Sequence, residues 1–136
     1  MKLTWLGHSA FRVETGNAVL LIDPFLKGNP SFEKSGTNWA VATQGVTHVA
    51  LTHGHDDHIG DTVEICKAQG ATLYANFELA MYLGGKGVEK LEPMGAGGTL
   101  HTPDGGATVT GCSQINSCGA AQISWNGPDA GSCWVY

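Results

Sequence analysis

Thr52-His53-Gly54-His55-Asp56-Asp57-His58-Ile59-Gly60-Asp61 holds three of the chain's six histidines and three of its twelve acidic residues. The preceding Thr47-His48-Val49-Ala50-Leu51 reads as a short buried strand, and the following Thr62-Val63-Glu64-Ile65-Cys66-Lys67-Ala68 reads as the start of a helix. The cluster therefore falls on a strand-to-helix loop, at the carboxyl end of a strand, where α/β folds place their chemistry.

Ligand type and spacing point to metal. Imidazole and carboxylate suit zinc, iron and related divalent ions. His53 and His55 are two apart, so on an extended segment they point the same way. Gly54 between them is expected to let the backbone turn tightly. Asp57 and His58 add an oxygen and a further nitrogen. A solvated polar loop, or histidines capping a helix start, is the competing reading. Four potential ligands within six residues, in a chain with only 14% charged residues, argue against it.

Working outward, Lys2–Leu6 and Ala10–Glu14 read as short strands joined by Gly7-His8-Ser9, with a turn at Gly16-Asn17. Ala18–Ile22 is a continuous apolar run, as in a buried central strand, and ends at Asp23-Pro24. These strands predict a β-meander. Pro24 to Gly45 reads as a long irregular segment, because two prolines and Gly28 discourage regular structure. Its Phe25, Phe32 and Trp39 are candidates for one wall of a substrate pocket, or simply for packing. On the other side, Asp61–Gln69 is a predicted helix ended by Gly70. Ala71–Ala75 is a strand, Asn76 caps a helix over Phe77–Leu83, and Val88–Leu91 is another strand followed by a turn at Glu92-Pro93-Met94. This βαβ rhythm predicts an α/β fold with parallel segments. Thr99–His101 and Ala107–Thr110 read as a hairpin. His48 and His101 fall on strands and are read as strand residues rather than ligands.

With 136 residues, 42% of them hydrophobic, the chain can build one domain with a real core. A net charge of −5 and seven scattered Lys and Arg argue against nucleic acid as a partner and suit a small-molecule substrate. No stretch approaches a membrane span, and the apolar run at the start stops at Leu6, too short for a signal peptide. A cytoplasmic location is expected. None of the four cysteines (66, 112, 118 and 133) forms a C-x-x-C pair, so reduced, mostly buried thiols are expected.

The pattern H-x-H-x-D-H at His53, His55, Asp57 and His58 resembles the signature of the metallo-β-lactamase fold superfamily of metal-dependent hydrolases. Leu3-Thr4-Trp5-Leu6-Gly7-His8-Ser9-Ala10-Phe11 and Leu21-Ile22-Asp23-Pro24-Phe25 resemble its uncharacterised metal-dependent hydrolase branch, related to the ascorbate-phosphate lactonases. The resemblance implies an αββα sandwich of which this chain is the N-terminal half, a single incomplete domain over residues 1–136. It implies one or two divalent ions, zinc first, with His53 and His55 on one ion and Asp57 and His58 on the other. Asp57 is expected to orient the attacking water or take its proton. Asp23 is implied as the support that holds the histidine segment by hydrogen bonds, and His8 as a residue near the site, a substrate contact more than a ligand.

The resemblance weakens after about Thr110. Gln114-Ile115-Asn116-Ser117 stands where the superfamily has a further ligand histidine, so Asn116 is expected to replace it, and amide oxygen is a poor zinc ligand. The expected activity is hydrolysis of an ester, lactone or phosphodiester by metal-activated water. The alternative is a truncated, non-catalytic homologue that binds metal weakly, or an interaction module that self-associates through an exposed sheet edge.

Overall fold

The computed structural model describes residues 1–95, 97–101, 107–111, 121–125 and 131–135. Strands β1 (Lys2–Gly7), β2 (Ala10–Thr15) and β3 (Ala18–Ile22) form the expected antiparallel meander, with Trp5 opposite Phe11 and Phe11 opposite Ile22. Two reversals make β1 and β3 run in the same direction. The chain leaving β1 at Gly7-His8 and the chain leaving β3 at Asp23 therefore emerge at the same end of the sheet.

Strands β4 (His48–Ala50), β5 (Thr72–Asn76) and β6 (Leu91–Met94) add to β3 in parallel, giving a six-stranded sheet in sequence order. Ile22 pairs with Ala50, and the Asp23 N–H donates to the Ala50 carbonyl at 3.0 Å. Residues 51 and 52 thus come out beside Asp23, and the histidine loop lies at the carboxyl end of β4 as expected.

The connections carry helices α1 (Pro30–Lys34), α2 (Trp39–Thr43), α3 (Asp56–Ile59), α4 (Thr62–Gln69) and α5 (Phe77–Gly84). Phe32, Ala42, Ile65, Leu79 and Leu83 from these helices share one core with Leu21, Val49 and Leu73 of the sheet. Leu20, Ile22, Ala50 and Tyr74 point the other way and pack with Val109. Adjacent residues of β3 thus serve opposite faces, and that is why Ala18–Ile22 is apolar throughout. Val109 belongs to a second, antiparallel sheet of β7 (Thr99–His101), β8 (Ala107–Gly111), β9 (Ala121–Trp125) and β10 (Gly131–Val135). Helices, mixed sheet and antiparallel sheet make three successive layers of an α/β fold.

The structure corrects several sequence expectations. Residues 24–45 are not irregular throughout. Asn29 caps α1, accepting from Ser31 N and Phe32 N, with Pro30 in the first turn, and Asn38 caps α2, accepting from Val41 N. Proline lacks only an N–H that the first helical turn leaves unpaired anyway, so Pro30 starts a helix rather than breaking one. Phe32 is buried in the core and Trp39 packs against it, so both serve the packing that the sequence offered as the alternative to a pocket wall. The strand expected at 88–91 instead covers Leu91–Met94, and Pro93 lies within it rather than in a turn. Among the described residues β6 is an edge strand, where a missing ladder donor is tolerated. His48 and His101 lie on strands as expected, His48 buried beside Tyr74 and His101 bonded to Thr108 Oγ1 at 3.0 Å. Asn116, Cys112 and Cys118 lie outside the described residues.

Cys66 is a free thiol in the core, and burial pushes it up from 9.0 to about 12. The unfolded chain would ionise this thiol first, so its contribution to stability falls as pH rises above 9.0. Cys66 is expected to escape alkylation in the native protein at about pH 8 and to be labelled in denaturant, because the thiolate is the reactive form. Peptide mapping after labelling reads this directly.

Candidate metal centre

Three chain segments converge at the carboxyl edge of β3 and β4. The first is the loop after β3. Asp23 is fully buried, and it and His8 are the non-glycine residues with positive φ among those described, at 43° and 51°. Asp23 Oδ1 accepts from the Thr52 N–H at 2.8 Å, and Oδ2 accepts from the Thr52 hydroxyl at 2.6 Å. Oδ2 also lies 2.8 Å from His58 Nδ1, and His58 itself is buried. An ionised carboxylate can only accept, so His58 Nδ1 carries the proton and Nε2 keeps its lone pair. This hydrogen-bonded support is what the resemblance implied for Asp23.

The second segment is the histidine loop. Thr52 Oγ1 lies 2.9 Å from His53 Nδ1. With its own proton directed to Asp23, the hydroxyl accepts here, so His53 carries its proton on Nδ1 and presents Nε2. His53 Nε2 stands 2.9 Å from His55 Nδ1, and with its own proton on Nδ1 His53 accepts this hydrogen bond from His55. Burial lowers the pKa of His53 below its ordinary value, and the neighbouring His58 and His55 rings lower it further, against the opposing pull of Asp23 and Asp57. A neutral ring is the form that can bind a cation.

The expectation that His53 and His55 point the same way thus holds. Gly54 has no positive φ, however, and a methyl there would meet only Leu79 Cδ1, at 3.6 Å. The glycine is not what turns this loop. His55 occupies the position before α3 but makes no side-chain cap hydrogen bond, so its ring is not spent on the helix start.

The third segment is the loop after β1. It brings His8 Nε2 to 3.3 Å from Asp57 Oδ2 and the His8 ring to 5.2 Å from that of His58, while the rings of His53 and His58 are 4.0 Å apart. Ligating atoms of His8, Asp57 and His58 all lie within 4.8 Å of one another. His8, His55 and Asp57 are exposed, so a small molecule can reach them.

Two residues went unread in the sequence. Thr52 relays the Asp23 carboxylate to His53. Asp61 is buried, and its Oδ2 accepts from Leu26 N and Lys27 N, both at 2.9 Å, clamping the loop after β3 to the base of the histidine segment. Only their tertiary neighbours reveal these roles.

The donor set fits a divalent ion. Ligands about 2.0–2.1 Å from one tetrahedral ion stand about 3.4 Å apart. The His53 and His55 nitrogens, at 2.9 Å, need only a small ring rotation to reach that.

A model of the metallo-β-lactamase superfamily matches residues 3–119. The chain belongs to the metallo-β-lactamase superfamily. Within this superfamily it is 55% identical over 127 residues to a UPF0173 metal-dependent hydrolase of Brucella ovis, an overlap of 93% of this chain and 51% of that one. The chain spans about half the length of the curated relatives it matches. Among solved structures, Igni18, a metallo hydrolase from Ignicoccus hospitalis, is 30% identical with a TM-score of 0.75, covering 94% of this chain and 57% of that one. CmlA, a diiron β-hydroxylase from Streptomyces venezuelae, shares the fold of this chain at TM-score 0.77 and 18% identity, covering 98% of this chain and 28% of that one.

Proposed function

We propose that the protein is a metal-dependent hydrolase acting on an ester, lactone or phosphodiester bond of a small molecule. The observation that carries this is the convergence of His53, His55, Asp57 and His58 at one sheet edge, with His58 held directly and His53 through Thr52 by the buried carboxylate of Asp23. His53 and His55 would hold one ion, and Asp57 and His58 a second. Imidazole with carboxylate favours zinc, and the same donors accept iron. When bound, a divalent ion supplies Lewis acidity and lowers the pKa of water from 15.7 towards about 7.

The chain's own residues then do three things. Asp23 fixes the proton on His58 Nδ1 directly, and that on His53 Nδ1 through Thr52, so both rings offer Nε2 to the site. Asp57, exposed beside the cluster, orients the attacking water or accepts its proton. The Asp61 clamp on Leu26 and Lys27 holds the loop that carries Asp23 against the histidine segment. No described helix is long and apolar enough to cross a membrane, and the free, buried thiol of Cys66 suits the cytoplasm we assign to the protein.

The test is turnover of a panel comprising a nitrophenyl ester, a simple lactone and bis-nitrophenyl phosphate. Zinc-loaded protein, chelator-treated protein and Asp57→Asn are compared. Hydrolysis of at least one class that falls at least about 100-fold in the last two is expected. Identical background rates in all three would contradict the reading.

A further inference from the structure

We infer that His8 is a protein ligand of the ion held by Asp57 and His58, so that this chain alone supplies three ligands to that position. The inference rests on the functional reading above and extends it, since the sequence placed His8 nearer to substrate than to metal.

The geometry carries it. His8, Asp57 and His58 each offer an atom to one cluster, all within 4.8 Å. His8 Nε2 is already 3.3 Å from Asp57 Oδ2, close to the spacing of two ligands on one small cation. His58 has Nδ1 committed to Asp23, so its free nitrogen is Nε2. One oxygen and two imidazole nitrogens, with a position open to solvent, form the donor set of a catalytic zinc.

His8 is also held in place from several directions. The Trp5 indole N–H donates to the His8 carbonyl at 2.9 Å, and the Phe25 ring meets the His8 ring edge-on at 6.0 Å. Gly7, with φ 98°, seats the loop so closely that a methyl on it would come 2.7 Å from Ser31 Cβ. A side chain that merely paired with Asp57 at the surface would need none of this. Ligand side chains, by contrast, are held by the elements around them.

The experiment is a Co2+ titration of the chain followed by visible absorption and metal analysis, in wild type, His8→Asn, Asp57→Ala and His53→Ala. Asn is chosen at position 8 because it tolerates a positive φ while being a poor ligand. Thermal unfolding confirms that each variant is folded. Two ions are expected in the wild type. His8→Asn is expected to weaken one of them at least about 10-fold and change its d–d spectrum, matching Asp57→Ala and leaving the ion lost in His53→Ala in place. Two ions bound with unchanged affinity and spectrum in folded His8→Asn would overturn the assignment of His8 and leave the hydrolase reading standing. Wild type that retains no ion would overturn both.

Discussion

Asp23→Asn is expected to fold and to bind zinc about 10- to 100-fold more weakly than the wild type. Asparagine keeps the shape of the side chain and accepts the φ of 43° at this position. It differs in that one terminal atom becomes a donor. The Thr52 N–H, 2.8 Å from Oδ1, keeps the amide oxygen on its side, so the NH2 takes the place of Oδ2. There it faces the Thr52 hydroxyl and His58 Nδ1. His58 can accept this hydrogen bond only by moving its proton to Nε2, and Thr52 can accept it by turning its proton towards His53 Nδ1. Both changes protonate the nitrogens that would hold metal. The hydrogen-bond count is nearly preserved, so the stability loss is about 1–3 kcal/mol. Asp23→Ala removes the acceptor altogether, strands buried donors on Thr52 and His58, and is expected to cost on the order of 3–5 kcal/mol. Zinc competition against a chromophoric chelator, beside urea denaturation, separates the two variants. Folded Asp23→Asn with unchanged zinc affinity would show that the carboxylate does not set the histidine tautomers.

Gly60→Ala is expected to be the most damaging single methyl in the histidine segment, destabilising by about 3 kcal/mol or more. Gly60 has φ 43° and ψ −121°, a region that residues with a Cβ avoid. A Cβ there would stand 2.4 Å from Phe25 Cα and 2.6 Å from the Pro24 carbonyl oxygen, both backbone atoms that cannot swing aside. The two segments meet this closely because the Asp61 N–H donates to that same carbonyl at 3.0 Å. The methyl would pry the loop carrying Asp23 away from the segment carrying His58, so metal binding is expected to fall with stability. Gly54→Ala, six residues earlier, is the control. Its methyl finds ordinary contact with Leu79, so a change of about 0.5 kcal/mol or less is expected. Equal thermal midpoints for Gly60→Ala and wild type would contradict the close-approach account.

These two variants mark where the sequence stops being legible. The placement of the histidine loop followed from local pattern, because a buried apolar run, a polar cluster and a helical stretch come in that order around residue 52. The apolar run of β3 was equally plain, since burial on both faces demands it. The helical turns after Asn29 and Asn38 were hidden because Asn-Pro and Gly read as breakers, while the same Asn serves as a cap when the following residues turn helical. Pro93 misled for a related reason: proline argues against a strand unless the strand is at an edge, and edges are a tertiary fact. Thr52, Asp61 and Gly60 gave no signal of their own. Their roles depend on residues about 30 positions away, at Asp23, Leu26 and Phe25. The supporting hydrogen bonds of Asp23 were implied by family resemblance, and the placement of His8 beside Asp57 follows only from the two strand reversals that bring the ends of β1 and β3 to the same sheet edge.

The most direct measurement is the zinc content and affinity of the purified chain after dialysis, beside His53→Ala and His55→Ala. Near-stoichiometric zinc in the wild type, with at least one ion lost in both variants, is the predicted result. A chain that retains no zinc, or retains the same amount in all three proteins, would contradict the claim that this histidine segment assembles a metal site.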